Sequence, residues 1–386
     1  MKRMKIKQVT FKQGAFDASL LPPLQHISPS LVFVFAYKRY FFQPAVVSGL
    51  LAAFPGAHCV GVSTAGTLSD QGVLDDSCVV TAVRFDRGGV RVATAEVATP
   101  EMSWQSGVAV ARALPAEELR TVLLFAPGMG VDGSALIAGL THVLGEKQAI
   151  VGGLSGDIGD RQQTLTLSPQ GVSATRVVGV GLYGSHLDIR QCSQGGWVPF
   201  GPMRKVTRHE GNLLLELDGE SALELYNRYL GEYARELPES GLRFPFEMCP
   251  SHHATSGLVR TVLNVDRERG GLILGGDIDP TGYFRLMHVT TSKLIGGAEE
   301  AAECALSAST RGETGPGLGL LISCVGRKLI MGDQIEDELD VVRDKLGRQH
   351  TVAGFYAHGE IGLQGASSVC GLHNQTMTIA LITETP

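Results

Sequence analysis

The 386-residue chain has the composition of a folded α/β protein. Hydrophobic residues make up 44% of it, and its 49 glycines lie at turns and strand ends, not in a low-complexity tract. The net charge of −6 opposes a nucleic-acid-binding surface. No apolar run approaches the roughly 18 residues of a membrane helix. The basic residues 2–7 are not followed by a signal-type apolar region. We therefore expect a protein that binds neither nucleic acid nor membrane.

The cysteines indicate the compartment. Seven are present, widely scattered and without a CxxC pair. An odd count with wide spacing favours reduced thiols that fill the core of a cytoplasmic protein.

A first structural unit occupies the N-terminal quarter of the chain. The apolar run Leu31–Ala36 predicts a buried strand, and Pro44 suits the first position of a helix that ends near Phe54. Residues 58–62 return as a strand into the glycine turn 63–66. Two β-branched strands are then predicted at 78–85 and 90–97.

The same order recurs in a second unit. Residues 122–126 predict its first strand, Asp132 is a good N-cap for the helix that follows, and Gly145 suits its C-terminal end. Residues 149–153 return into the turn 155–157. Strands at 163–168 and 172–182 complete the unit.

A third unit follows the same plan near the C-terminus. Residues 319–324 predict its first strand, and Asp333 can cap a helix, with Glu336 reaching back in a capping box. Residues 352–356 return into a turn that contains His358. Acidic residues are frequent in the helix 333–345, which makes it a candidate surface for a partner protein, although an ordinary solvated helix face is the simpler interpretation.

These repeats predict the fold class. We expect an α/β (α+β) protein of repeated β-α-β-β-β units, forming mixed sheets with helices on the outside. The break at 195–212 suggests two domains, residues 1–200 and 201–386. The first two units should be related by a pseudo-two-fold axis. Residues 213–308 are considered as a fourth, permuted or degraded unit.

Two glycine turns contain a serine, which raises the question of catalysis. Neither Ser63 nor Ser155 lies in a G-x-S-x-G motif, and each follows a strand that leads to another strand instead of a helix. We expect a protein that is not an enzyme. A hydrolase that uses Ser63 or Ser155 with a nearby histidine is retained as an alternative.

The densest histidine cluster lies in one loop. His252 and His253 follow Cys249, and the loop begins with Phe244, Phe246 and Met248. Aromatic and thioether side chains beside an imidazole are typical of a soft, apolar pocket. The alternative is a connecting loop that packs through its Phe and Met side chains.

Several motifs together resemble the FIST family of intracellular signal-transduction proteins. They are GVSTAGTL after LVFVFA, GGLSGD after VLLFAP, LDGESALELY, GLLISCVGRKLIMG, and GFYAHGEI followed by HNQTMTIALI. The commoner family form has Tyr-Gly-Glu where this chain has His358-Gly359-Glu360. The resemblance covers nearly the whole chain and implies a sensory module with FIST N and FIST C domains.

The resemblance also implies a function. Some stand-alone members bind haem and sense nitric oxide, regulating a partner histidine kinase as in two-component regulation, and others are proposed to bind metabolites such as amino acids. For haem, His252 is the expected metal ligand, with His253, Cys249 and His358 as alternatives. Phe244, Phe246 and Met248 would wall the haem cavity. A haem-free metabolite binder is the alternative, and an oligomer is possible.

Polar groups at the turns predict a ligand pocket. The turns should line a shared cleft, because polar side chains are held at their strand ends. These candidates are Ser63, Thr64, Ser155, Asp157 and Glu360. Alternatively, the two carboxylates cap their turns by accepting bonds from backbone N–H groups.

Overall fold

The computed structural model describes residues 4–159, 163–254, 257–307, 315–363 and 370–385. Three units of one design form the body of the molecule, and an inserted sheet interrupts the third. Among these residues, no helix has both the length and the apolar character needed to cross a membrane.

The first two units follow one another along the chain. The elements of unit one are β1 (Lys5–Lys12), α1 (Pro22–Gln25), β2 (Leu31–Ala36), α2 (Lys38–Phe41), α3 (Pro44–Ala53), β3 (His58–Ser63), β4 (Thr67–Ser69), β5 (Gly72–Leu74) and β6 (Ser77–Arg84). The elements of unit two are β7 (Gly89–Glu96), α4 (Ser103–Ala113), β8 (Leu119–Ala126), α5 (Gly133–Leu144), β9 (Ala149–Leu154), β10 (Thr166–Ser168), β11 (Gly171–Ser173) and β12 (Arg176–Tyr183).

Unit three is divided by the inserted sheet. The inserted elements are β14 (Val198–Glu210), β15 (Leu213–Leu217), β16 (Glu220–Ser221), α6 (Ala222–Leu230), β17 (Phe246–Cys249), β18 (Leu258–Arg260), β19 (Val262–Asp266), β20 (Gly271–Leu274) and β21 (Tyr283–His288). The elements of unit three itself are β13 (Leu187–Gln194), α7 (Thr291–Ser307), β22 (Gly317–Cys324), α8 (Val325–Met331), α9 (Ile335–Leu346), β23 (His350–Ala357), β24 (Gly359–Leu363), β25 (Cys370–His373) and β26 (Met377–Glu384).

The three units exchange hairpins in a ring. The sheet orders are β1-β6-β2-β3-β10-β11, β7-β12-β8-β9-β24-β25 and β13-β26-β22-β23-β4-β5. Within each sheet the two long central strands, β2/β3, β8/β9 or β22/β23, are parallel. The outer hairpin of each sheet comes from another unit, because unit one supplies β4–β5 to sheet three, unit two supplies β10–β11 to sheet one, and unit three supplies β24–β25 to sheet two. No unit can therefore complete its own sheet.

This ring confirms the repeated mixed sheets and corrects two details of the predicted arrangement. Units one and two belong to a three-membered cycle, so a pseudo-two-fold relation between them is wrong. Residues 213–308 are not a fourth unit. Most of them form the inserted sheet, and α7 packs against β13, β26 and α9 of unit three. The division at residue 200 stays a prediction, and the third sheet joins strands from both sides of that position.

Apolar side chains fill the centre of the ring. The rings of Phe35 and Phe355 lie 4.9 Å apart, and Phe125 lies 6.2 Å from Phe35 and 6.1 Å from Phe355. All three are fully buried and come from three different sheets. The centre of the ring is therefore one hydrophobic core shared by the three sheets. Burying each side chain of this size contributes roughly 1.5–3 kcal/mol to stability.

The sequence predicted some helix ends correctly and others wrongly. Asp132 caps α5, and its carboxylate accepts a bond of 2.9 Å from the Ala135 N–H. The predicted capping box at Asp333 is wrong, because α9 begins after Gln334 without a side-chain cap. The Glu336 carboxylate instead accepts from the Val73 N–H of unit one. The predicted strand 172–182 is two strands, β11 and β12.

The cysteine prediction also needs a correction. Cys192 of β13 and Cys304 of α7 form a disulfide, so the expectation of seven reduced thiols is wrong for this pair. The two residues are 112 positions apart, and sequence spacing gave no sign of their contact. The other five cysteines are buried free thiols.

A fully buried ion pair connects the helices of unit three. The Arg327 guanidinium donates to the Glu338 carboxylate at 2.6 and 2.8 Å, and neither side chain is exposed. The same guanidinium also donates to the carbonyl oxygens of Gly195 and Leu294. Tyr356 approaches the other carboxylate oxygen at 3.3 Å. Both charges are thereby satisfied without water.

Removal of one partner should be costly. Arg327→Met leaves the Glu338 carboxylate buried and unpaired, so we expect the free energy of unfolding to fall by about 3–5 kcal/mol in urea titrations. Adding Glu338→Gln should recover part of this loss because the buried charge is removed. Arg235→Met is the control, since its ion pair with Glu232 is exposed and should be worth less than about 1 kcal/mol. An Arg327→Met effect as small as that of the control would contradict the prediction.

Candidate functional site

The three glycine turns meet at one end of the ring. Backbone hydrogen bonds connect them in a cycle, from Ala65 N–H to Tyr356 O at 3.3 Å, from Gly156 N–H to Ser63 O at 3.0 Å, and from His358 N–H to Leu154 O at 3.1 Å. We call the turns 63–66, 155–158 and 357–359 the axial turns. The structure thus brings together four of the five predicted pocket residues, Ser63, Thr64, Ser155 and Asp157, and also His358.

The hydroxyl groups of the axial turns hold the backbone together. Ser63 Oγ lies 3.2 Å from Gly156 O and accepts from the Leu165 N–H at 2.9 Å. Ser155 Oγ lies 2.9 Å from Ala126 O and 3.0 Å from Leu165 O. Thr64 Oγ1 accepts from the Tyr356 N–H at 3.0 Å. All three side chains are buried, and each of them contacts backbone groups of the turns or their neighbours.

Outside this buried layer, one polar side chain from each unit converges. Lys38 of unit one donates to the Asp157 carboxylate of unit two at 2.7 Å. His358 of unit three places Nε2 at 3.2 Å from Asp157 N and 3.3 Å from Asp157 O. Lys38 and His358 are partly exposed, whereas Asp157 is nearly buried. The group offers an ammonium, a carboxylate and an imidazole to a ligand at the surface.

A second lysine reaches the first axial turn. Lys328 Nζ donates to Ala65 O at 2.8 Å and also contacts the Asp75 carboxylate. The Tyr37 hydroxyl donates to the same carboxylate at 2.8 Å, and burial followed by this contact raises the pKa of Tyr37. The phenol is therefore neutral at physiological pH.

Exposed apolar side chains lie close in sequence to these polar groups or to the loops that contact them. Phe42 lies one helical turn from Lys38, Met129 follows the loop that touches Ser155, Ile158 follows Asp157, and Leu329 follows Lys328. We call these four residues the axial rim. Each is between 42% and 56% exposed, and together they come from all three units. Exposed large apolar side chains beside polar groups make this end of the ring a candidate ligand or partner surface.

Glu360 does not join this group. Its carboxylate is fully buried and accepts from the Thr376 N–H at 3.0 Å and the Thr376 hydroxyl at 2.9 Å, just before β26 and outside its own turn. Burial raises the pKa of Glu360 to about 8 despite these bonds. Its cross-strand partner His373 is also buried, which lowers the pKa of that imidazole to about 4.

The predicted haem loop lies in the inserted sheet. His252 and His253 are exposed in a turn, with ring centroids 5.4 Å apart. Phe246 packs into the core of the insert against Tyr226 and Phe284, and the cavity beside it is about 10 Å³, room for about one water.

The neighbours of Phe246 are equally occupied. Phe244 packs against Tyr233, and the Met248 sulfur accepts from the Asp279 N–H. Burial raises the pKa of Cys249 to about 11, which disfavours a thiolate ligand. The described part of this loop therefore does not form a cavity that fits haem.

Among the residues that the structure describes, no three His, Cys, Asp or Glu side chains are grouped so that they could hold a metal ion. His252 as a metal ligand, with His253, Cys249 and His358 as alternatives, stays a prediction.

Sequence reasoning missed the cations of the site. Lys38 lies just after β2 of unit one, and Lys328 lies in α8, just after β22 of unit three. The available signal was that each lysine follows a strand whose C-terminal end lies beside an axial turn. Their partners Asp157 and Asp75 belong to other turns, so the ion pairs required the tertiary structure.

The fold and site define a class of protein: a ring of three hairpin-exchanging α/β units with a mixed polar and apolar surface where its turns meet. Sequence models of the FIST N domain and the FIST C domain match residues 30–220 and 222–363. The chain belongs to the FIST family. Membership supports a role as a sensory module in signal transduction.

Other comparisons add little to this assignment. None of the curated proteins matches the sequence significantly. A solved structure titled as a cyanuric acid hydrolase from A. caulinodans shares 9% identity over 99% of both chains, with a TM-score of 0.44. A similarity this low supports no statement about chemistry.

The buried Glu360 predicts an unusual pH dependence. Its pKa is raised in the folded state, so between about pH 4.5 and 8 the folded chain keeps a proton that the unfolded chain releases. This contribution to the free energy of unfolding is therefore complete below pH 4.5 and is lost as pH rises through 8.

Urea titrations between pH 4.5 and 8.5 can test this. Glu360→Gln should remove this part of the decline, whereas Glu146→Gln, a change at an exposed loop residue, should keep the wild-type profile. Parallel profiles of stability against pH for Glu360→Gln and the wild type would contradict the assignment.

Proposed function

We propose that the protein is a sensor that binds a small polar ligand at the axial turns and signals through contact with another protein. The convergence of Lys38, Asp157 and His358 from three units carries this proposal. A lysine can bind a ligand carboxylate or phosphate, and an aspartate can bind an ammonium group. A zwitterionic metabolite such as an amino acid matches both charges.

Ligand binding at this position would act on the contacts between units. The Lys38–Asp157 pair joins unit one to unit two, and His358 joins unit three to the same turn. A ligand that replaces one partner changes the free energy of those contacts, which is the requirement for a binding signal to alter structure. The proposal is a binding role and not a catalytic one, because Ser63 and Ser155 are occupied with the backbone.

The axial rim is the proposed place of output. Its four exposed apolar side chains belong to the segments that carry or contact the axial turns, so a protein that docks there would be sensitive to the position of those turns. A histidine kinase is the proposed partner, in keeping with the resemblance to sensory FIST proteins. The exposed acidic face of α9 is a separate candidate surface.

Thermal unfolding can test the ligand proposal with free amino acids and dicarboxylates as probes. At a hundred-fold excess over Kd, a bound ligand should stabilise the wild type by about 2.7 kcal/mol and raise its Tm. Lys38→Met should lose most of this rise, because the ligand anion then lacks its cation. Lys147→Met, which changes an exposed loop lysine, should keep it. If Lys38→Met responds like the wild type, the ligand does not bind there.

Haem is a second candidate ligand, and the position of His358 favours it. The equivalent places in the other two axial turns hold Ala65 and Gly156, so this is the one axial turn position of the three that offers an imidazole. The axial rim supplies apolar surface, and Lys38 and Lys328 are cations suited to propionates. Bound haem would supply an iron centre able to take nitric oxide, and His358 would hold it in place of His252.

Absorption spectra during hemin titration separate the two ligands. If haem binds as proposed, the wild type should give a Soret band that His358→Ala reduces strongly. His252→Ala and His253→Ala should keep it, because both side chains lie on the exposed turn. Loss of the band in the latter two variants would return the site to the loop, and no band in the wild type would exclude haem.

A further inference from the structure

The disulfide between Cys192 and Cys304 joins the two chain segments that flank the inserted sheet. Cys192 lies on β13, the strand before the insert, and Cys304 lies on α7, the helix that follows it. The Cys192 side chain is fully buried, whereas Cys304 is partly exposed. Of the two residues, Cys304 is therefore the one that a thiol in solution can approach, and exposed disulfides are the more easily reduced ones.

Helix α7 has little apolar surface with which to hold its place. Its buried residues are Leu294, Gly297, Ala298, Ala301, Ala302 and Ala305. All but Leu294 are glycine or alanine, and the free energy gained on burial scales with the apolar area that is buried. The buried face of α9, in the same unit, contains Leu339, Val342 and Leu346. The disulfide thus supplies an attachment that the small side chains of α7 do not.

Two contacts that do not involve sulfur also hold α7 against the segment before the insert. The buried Arg190 guanidinium of β13 donates to Leu306 O, near the C-terminal end of α7, at 2.9 Å. Nearer the other end of the helix, a Cβ atom at Gly297 would lie 2.5 Å from Gly196 N, so the two backbones are in direct contact. Opening the disulfide should therefore loosen α7 without unfolding the protein.

Helix α7 is also connected to α8 and the first axial turn. The Arg327 guanidinium of α8 donates to Leu294 O of α7 at 2.8 Å. The next residue of α8, Lys328, donates to Ala65 O at 2.8 Å. A shift of α7 would move an acceptor of the buried Arg327 charge, and α8 would have to adjust with it.

We propose that Cys192 and Cys304 form a redox-sensitive clasp, opened by a dithiol reductant, that sets how firmly α7 and α8 are held. A thiolate of the dithiol attacks Cys304 Sγ, the S–S bond breaks, and Cys192 leaves with the electron pair and takes up a proton. The second thiol of the reductant then attacks the mixed disulfide and releases Cys304, which takes up the second proton. Both cysteines become thiols, and the dithiol is oxidised to a disulfide.

Mass spectrometry after alkylation tests the chemistry. After treatment with glutathione disulfide, the folded wild type should contain the Cys192–Cys304 cross-link and five free thiols. Dithiothreitol should open the cross-link without denaturant, and iodoacetamide should then label Cys304 before Cys192, because Cys304 is the more exposed residue. The clasp is excluded if the oxidised protein lacks this cross-link, or if the cross-link opens only after unfolding in urea.

Amide hydrogen exchange measures the effect on the helices. Dithiothreitol should raise the exchange rates of α7 and α8 in the wild type by about ten-fold and leave β2 of unit one unchanged. Cys192→Ala/Cys304→Ala should show the raised rates with and without the reductant, because it has no bridge to open. Cys59→Ala is the matched control, since it removes a buried free thiol and should respond like the wild type. Equal rates for α7 in the oxidised and reduced wild type would overturn the proposal.

Discussion

The exchange of hairpins between units is the constraint on which the rest of the structure depends. Each central strand pair needs an outer hairpin from another unit, and the axial turns that begin these hairpins hydrogen-bond to one another in a cycle. Hydrogen bonding of buried backbone groups is obligatory, so the units must form together. The shared core of Phe35, Phe125 and Phe355 has the same consequence, since it needs one ring from each sheet.

The three units differ at equivalent places, and the proposed site lies where they do. Thr67, Thr166 and Glu360 occupy corresponding positions at the start of the exchanged hairpins, and only unit three has a carboxylate there. His358 likewise stands where the other turns have Ala65 and Gly156. A symmetric ring would offer three identical small turns. The substitutions in unit three provide one imidazole near the axis and one buried acid behind it.

The inserted sheet is fastened to unit three by two buried cations. Arg327 donates to Gly195 O just before the insert, and Arg260 of the insert donates to Leu372 O of β25. Burial lowers the pKa of Arg260 to about 10, which still leaves it charged at neutral pH. A buried charged donor that loses its acceptor destabilises the folded protein. These two hydrogen bonds therefore hold the insert in a defined position relative to the ring.

The sequence by itself determined the units and many of their elements. Leu31–Ala36 was recognisable as a buried strand because it is continuously apolar, and Asp132 as a cap because its carboxylate acts on its own helix. Such signals are local, so they survive without knowledge of the fold. The repeated turns also indicated that polar residues such as Ser63, Ser155 and Asp157 would lie close together.

Only the tertiary structure decided how these parts are combined. The three-membered ring depends on which hairpin pairs with which strand, and no single unit encodes that choice. Lys38 belongs to the site because it pairs with Asp157, 119 positions away. Cys192 and Cys304, which form the disulfide, lie on opposite sides of the insert in the sequence. Glu336 resembled a capping residue but binds unit one, and Glu360 resembled a pocket residue but lies buried against Thr376. Each of these outcomes rests on contacts between distant segments, which composition and spacing do not record.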